Sequence, residues 1–218
     1  FVSGVGGELG TLVANLLEDE PWVGSLSGID ADPPRRRLQR TTFHRISPDD
    51  HDTIVDTVTK FNPHVLVHVG VWEPDARAAP RVAAALTDQA AVSALGAAAE
   101  CQALDSIIVR SGIEIYGRGP GSLTRPDEDA PLRPTSEWGR TVADIERTAA
   151  NVAERVGVTV GAVRLASVLG PHVPSPLGRL LRQPVVPFHA TSDPPFAVIE
   201  HRDAARAIVA AARNQLSS

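Results

Sequence analysis

Apolar residues recur at Leu9, Leu12, Val13, Leu16 and Leu17, the i, i+3, i+4, i+7, i+8 spacing of an amphipathic helix, and Pro21 ends that segment. Leu26 to Ile29 reads as a strand closing on Asp30, and Thr42 to Arg45 as a second short strand. Ile54, Val55, Val58 and Phe61 mark another helix. His64 to Val71 is rich in β-branched residues and predicts a buried strand. The alanine-rich run from Pro80 to Gln102 predicts a helix, and Ser106 to Ser111 a further strand. A loop rich in glycine and proline spans Gly117 to Pro134. Ser136 then caps a long helix whose apolar stripe is Trp138, Val142, Ile145, Ala149, Val152, Ala153 and Val156, with Gly157 as its stop. Val158 to Ala166 predicts a strand. Gly170 to Pro195 holds seven prolines and predicts an irregular excursion or lid. Phe196 to Ile199 is a short strand, and Asp203 caps a final helix. Strands alternate with helices throughout, which predicts an α/β fold built on a doubly wound parallel sheet, as one domain over 1–218.

The first of these strands is short on residues. Only Phe1 and Val2 precede a glycine-rich stretch, so the strand is expected to continue upstream of this chain. The net charge of −5 and pI of about 5.8 argue against a nucleic acid or an anionic membrane surface as partner. No apolar run is long enough to span a bilayer. Cys101 is the single cysteine, which excludes an intrachain disulfide and fits a reducing cytoplasm. Lys60 is the single lysine among 21 basic residues, and the arginine and alanine bias fits a bacterial gene of high G+C content.

The glycine-rich stretch is the most specific chemical signal. Gly4, Gly7 and Gly10 sit three apart between a strand end and an amphipathic helix. In a dinucleotide-binding βαβ unit the first glycine permits a tight turn, the second lets the backbone approach a pyrophosphate, and the third lets helix and strand pack closely. The helix N-terminus supplies free N–H groups for the phosphates. Asp30 ends the next strand twenty residues after Gly10, where a carboxylate accepts hydrogen bonds from ribose hydroxyls and repels a 2′-phosphate. The pattern therefore predicts a Rossmann-type NAD(P)-binding domain with NAD as cofactor. The run Arg35 to Arg37 leaves NADP as the lesser alternative. Glu8 is out of place beside a pyrophosphate and is expected to point to solvent.

Four segments together resemble the NAD-dependent epimerase/dehydratase family of extended short-chain dehydrogenase/reductases. Ser3-Gly4-Val5-Gly6-Gly7-Glu8-Leu9-Gly10 is similar to the family's glycine loop, and His68-Val69-Gly70-Val71 to the strand end beside its cofactor. Ser111-Gly112-Ile113-Glu114-Ile115-Tyr116-Gly117 and Arg164-Leu165-Ala166-Ser167-Val168-Leu169-Gly170-Pro171 resemble two further family segments. The resemblance covers nearly the whole chain. It implies that Gly4, Gly7, Glu8, Leu9, Gly10, Asp30, Val69, Gly70, Val71 and Ser111 contact the dinucleotide. It also implies a nucleotide sugar or similar small molecule as substrate, a homodimer formed through two long helices, and a C-terminal substrate-binding subdomain that this chain lacks.

The resemblance fails at the catalytic positions. The family's Tyr-x-x-x-Lys pair falls on Trp138 and Val142, and its catalytic serine or threonine on Gly112, with Ser111 one step away. An indole N–H only donates, and valine carries no charge, so neither can do the proton work of a tyrosine tuned by a lysine. Glu114 matches a glutamate that dehydratases of the family use as a base, but the acid beside it in those enzymes is Ile113 here. Glu114 and Ser111 are therefore the substitute catalytic candidates, with a capping or solvated carboxylate as the alternative for Glu114. Tyr116 is expected to pack in the wall beneath the cofactor. His64 and His68 lie four apart on one predicted strand face, without a third ligand that would make a metal site. His172, Arg179 and Arg182 fall in the proline-rich excursion, where the arginines could reach a diphosphate or stand solvated.

Overall fold

The computed structural model describes residues 1–76, 78–119, 121, 123, 125–185 and 196–215. Its centre is a six-stranded parallel sheet. In chain order these strands are β1 (Val2–Ser3), β2 (Leu26–Asp30), β3 (Thr41–Arg45), β4 (Val65–His68), β5 (Ser106–Gly112) and β6 (Thr159–Leu165). Across the sheet they run β3-β2-β1-β4-β5-β6. That is the doubly wound order, in which the chain leaves β1 in one direction and returns on its other side at β4. Val2 is paired with Gly28 on one flank and Val67 on the other, so even the two-residue β1 is held at the middle of the sheet.

Helices cover both faces, as crossovers between parallel strands require. On one face lie α1 (Glu8–Glu18) and α6 (His201–Gln215), packed on each other. On the other lie α2 (His51–Phe61), α3 (Pro80–Ala98) and α4 (Glu137–Val156). Strands buried on both faces read as unbroken apolar runs, and Ile107, Ile108 and Val109 of β5 are wholly buried. Each such side chain contributes about 1.5–3 kcal/mol relative to exposure. Ile108 belongs to the core cluster beneath α1 and α6, whereas Ile107 and Val109 belong to the cluster beneath α2, α3 and α4. The pleat thus divides one strand between two cores.

Several boundaries differ from expectation. β4 stops at His68 because Gly70 turns the backbone against Gly4. α3 stops at Ala98, and tighter turns follow in which Glu100 and Cys101 donate to the carbonyls of Ala97 and Ala98. The last helix starts at His201, not at Asp203: the Glu200 carboxylate accepts from the Arg202 amide, and Asp203 instead pairs with Arg206. Part of the proline-rich excursion is regular, with α5 at Pro176–Leu180. A separate two-stranded parallel sheet joins β7 (Ser167–Leu169) to β8 (Val198–Glu200). The rest of the expected lid, 186–195, lies outside the described residues. Among the described residues, no helix is long and apolar enough to cross a membrane.

Candidate functional site

A crevice of about 320 Å3 opens beyond the carboxyl ends of β1 and β4, where the strand order reverses. Gly4, Gly7, Glu8, Leu9, Gly10, Asp30, Val69, Gly70 and Val71 all line it. The three glycines serve different ends. Gly4 has φ of +93°, and a Cβ there would overlap the backbone of Gly70. A Cβ at Gly10 would overlap the carbonyl of Gly4. Both are required by the protein's own packing. Gly7 is not. Its φ and ψ of −69° and 161° suit any residue, and a Cβ would meet nothing nearer than the Gly4 carbonyl oxygen at 3.8 Å. Gly7 is also the N-cap of α1 and caps it with no side chain. The absent side chain leaves a cradle at a helix N-terminus, the shape that a pyrophosphate needs.

At one end of the crevice Asp30 closes β2. Its carboxylate accepts from the Gly6 amide at 2.9 Å and the Asp32 amide at 3.0 Å, so it shapes the glycine loop as well as lining the cleft. Burial raises its carboxyl above the ordinary aspartate range, against the pull of those two amides. Glu8 does not point to solvent. Its carboxylate is buried, and Arg36 reaches in to pair with it at 2.9 Å. That pairing neutralises an acid at a site otherwise suited to anions. It also divides the arginine run: Arg36 goes to Glu8, while Arg35 lines the cleft beside Asp32.

The inner end holds two charged residues that sequence reasoning missed. Glu73 follows β4, Arg110 lies on β5, and they form an ion pair with side chains only 14% and 12% exposed. The available signal was an arginine directly after the apolar run Ile107 to Val109, a position that demands a partner. His68 is wholly buried nearby. Its Nδ1 meets the Ser3 hydroxyl at 3.2 Å, and burial together with Arg110 lowers its pKa to about 4, so the ring is neutral near pH 7. His64 lies outside β4 and is exposed, so the two histidines do not face a common site.

Beside the inner end is a smaller chamber. Trp138 and Val142 of α4 form one wall, opposite Ser111, Gly112 and Glu114, with Glu73 and Arg110 at its junction with the cleft. The structure therefore brings Trp138 and Val142 to the face where the sequence places them. Ser111 is a correction: it lines this chamber and not the cleft, because Arg110 is the β5 residue that reaches the cleft. Its hydroxyl is buried and has no hydrogen-bond partner. Glu114 lies in a 3-10 turn, Ile113–Tyr116, and pairs with the exposed Arg118 at 3.3 Å. A Cβ on Gly112 would come within 2.5 Å of Glu114 Oε2, so Glu114 occupies the room that a serine there would need.

Tyr116 is the second correction. It does not lie beneath the cleft. Its hydroxyl accepts from Arg164 at 2.7 Å, and that guanidinium, held by Glu146, sits 5.3 Å from the ring centroid. The arginine draws the ring toward β6 and α4. In the excursion, His172 is exposed, and Arg179 donates to the Asp75 carbonyl at 2.8 Å, tying that segment to the loop after β4.

Residues 1–217 match the family described as the NAD dependent epimerase/dehydratase family. Uncharacterized proteins of Mycobacterium bovis and Mycobacterium tuberculosis are 27% identical over 97% of this chain. The chain spans only 58% of the length of those relatives. UDP-glucose 4-epimerase from Brucella ovis, solved in complex with NAD, superposes with a TM-score of 0.81 at 20% identity, over 99% of this chain and 73% of that one. UDP-glucose 4-epimerase from Thermotoga maritima, solved with UDP-glucose, gives 0.78 at 18% identity, over 95% and 71%. At such identities the likeness establishes the fold.

Proposed function

Because the chain belongs to the NAD dependent epimerase/dehydratase family, we propose that it binds NAD(H) in the crevice between β1 and β4 and acts on a nucleotide sugar without the tyrosine route. Gly7 carries this reading. It is a glycine that the protein's own packing does not need, placed where a pyrophosphate would need it. The free amides at the start of α1 would hold the phosphates, Asp30 the adenosine ribose, and Val69 to Val71 the wall beside the nicotinamide half. Asp30 favours NAD over NADP. When bound, the nicotinamide would accept or return a hydride. The nucleotide-sugar class is supported by the UDP-glucose bound to the Thermotoga maritima enzyme.

Trp138 and Val142 support a second reading, that the protein binds the dinucleotide as a sensor without turnover. Calorimetry tests the cofactor site. Gly7→Val should weaken NAD(H) binding by about 100-fold or more, about 2.8 kcal/mol, while the fold stays intact. Equal affinity in the variant and the wild type would remove the site. Reduction of bound nicotinamide by a nucleotide sugar would decide between enzyme and sensor.

A further inference from the structure

Three cavities meet at one side chain. Glu73 lines the long crevice, the chamber against Trp138 and Val142, and an outer cavity of about 320 Å3 that it shares with Glu114 and Arg118. Among the described residues, no other acid lines all three. Of these three cavities Glu8, Asp30 and Asp32 line the crevice alone, and Glu114 does not reach it. Arg110 pins the Glu73 carboxylate at this junction. Burial raises the Glu73 carboxyl above the ordinary glutamate range; Arg110 opposes the rise, and the charge of Glu114 adds to it.

The chamber also contains an unmet hydrogen bond. Ser111 follows Arg110 on β5, is 3% exposed, and presents a hydroxyl with no partner to the same chamber. A buried hydroxyl left so is unfavourable, and a ligand oxygen would give it a partner. The opposite wall cannot accept a proton, since Trp138 only donates and Val142 carries none.

We propose that Glu73 is the proton-transfer group of this site, acting on the oxygen of a secondary alcohol or its carbonyl product where that oxygen enters the chamber, whose volume of about 30 Å3 admits the oxygen alone and leaves the rest of the molecule in the larger cavities beside it. Ser111 hydrogen-bonds the same oxygen, and Arg110 is the positioning residue that holds the carboxylate. This rests on the reading of the crevice as the dinucleotide site. In the oxidative direction the substrate hydroxyl gives its proton to a Glu73 oxygen. Oxidised nicotinamide, which Gly7, Asp30 and Val69 to Val71 would hold in the crevice, would supply the two-electron acceptor for the carbinol hydrogen, so that alcohol and NAD+ would become carbonyl, NADH and a proton, and Glu73 would pass that proton to the outer cavity past Glu114.

The first measurement needs no turnover. Calorimetric titration with NADH, in two buffers of different ionisation enthalpy, counts the protons taken up on binding. Wild type should take up protons at pH values within the Glu73 titration, because the ligand further desolvates Glu73. Glu73→Gln should lose that uptake at NADH concentrations that saturate the variant, and Glu114→Gln should keep most of it. The second measurement follows nicotinamide fluorescence with NAD+ and, as probes, UDP-glucose, UDP-galactose and simple secondary alcohols. Wild type should form NADH with at least one, faster as pH rises through the Glu73 titration. Arg110, Glu114 and Arg118 are the charged groups around Glu73, and His68 remains neutral. Glu73→Gln should be slower by about 100-fold or more, and Arg110→Met should move the pH profile upward by removing the cation. Proton uptake that persists in Glu73→Gln, unchanged turnover in that variant, or no NADH from wild type with any probe would overturn the assignment and leave a structural ion pair. A wild type that binds no NAD(H) would defeat the cofactor reading itself, and the proposal would fall with it.

Discussion

Glu18 shows how one side chain can tie a helix end to the segment that leads into the edge strand. It ends α1, is 5% exposed, and its carboxylate accepts from the amides of Gln39, Arg40 and Thr41 and from the Thr41 hydroxyl at 2.7–2.9 Å. Burial opposes its ionisation, but those four hydrogen bonds outweigh it and hold the carboxyl below the ordinary glutamate range. A depressed folded pKa stabilises above the unfolded value and is lost as pH falls through the folded one. Glu18→Gln should therefore cost about 2 kcal/mol at neutral pH in urea unfolding. The gap from wild type should close as pH falls below the ordinary glutamate range and the wild-type carboxyl takes up a proton. A gap unchanged by acid would mean that the charge contributes nothing. No pattern in the sequence marks Glu18, because its partners lie some twenty residues on, in the end of a loop and the first residue of β3. The glycines show the same limit. Gly4, Gly7 and Gly10 are alike as letters, and only their neighbours separate packing glycines from one facing a ligand.

Among the elements, α4 was the most legible. Ser136 accepts from the Gly139 amide at 2.9 Å, Gly157 closes the helix at φ of +77°, and the expected stripe is buried between them except at its partly exposed ends, Trp138 and Val156. Cap and stop chemistry are local, so sequence carries them. The same local logic misread α6, because Glu200, just before it, binds the Arg202 amide. It found β8, expected at Phe196 to Ile199 and observed at Val198–Glu200, but not β7 or the pairing that joins the two across some thirty residues. On α4 the structure sharpens one expectation. Restoring the family's groups by Gly112→Ser, Trp138→Tyr and Val142→Lys puts an ammonium where Val142 is 1% exposed and a Cβ within 2.5 Å of Glu114 Oε2, so that the Glu114 side chain must move. The triple variant should lose about 3 kcal/mol or more in stability. It should recover at most weak turnover, since such groups must be placed within about half an ångström. Robust turnover with undiminished melting temperature would show the chamber to be more adaptable than its packing indicates.

For the whole molecule, the outer faces of α3 and α4 lie side by side. Val82 and Val92 of α3 are 51% and 48% exposed, and α4 alternates Arg140, Asp144, Arg147 and Glu154 on its outer side. A two-fold axis across this surface would bury the valines and bring opposite charges together. Sedimentation at micromolar concentration is expected to show a dimer, and Val82→Glu with Val92→Glu a monomer; a monomeric wild type would exclude this interface. What the sequence determined by itself was everything that depends on neighbours close in the chain. The amphipathic period of α1, the buried runs of β4 and β5, the glycine loop with Asp30, and the placing of Trp138 and Val142 on one helix face are all of this kind. Tertiary structure alone decided which groups meet. Glu8 is neutralised by Arg36, Tyr116 is drawn away by Arg164, and Glu73 joins Arg110 where three cavities converge. The physical reason is that local patterns set backbone shape and buried faces over a few residues, whereas a charge buried at the end of one strand is stabilised only by a partner that the crossover of another brings to it.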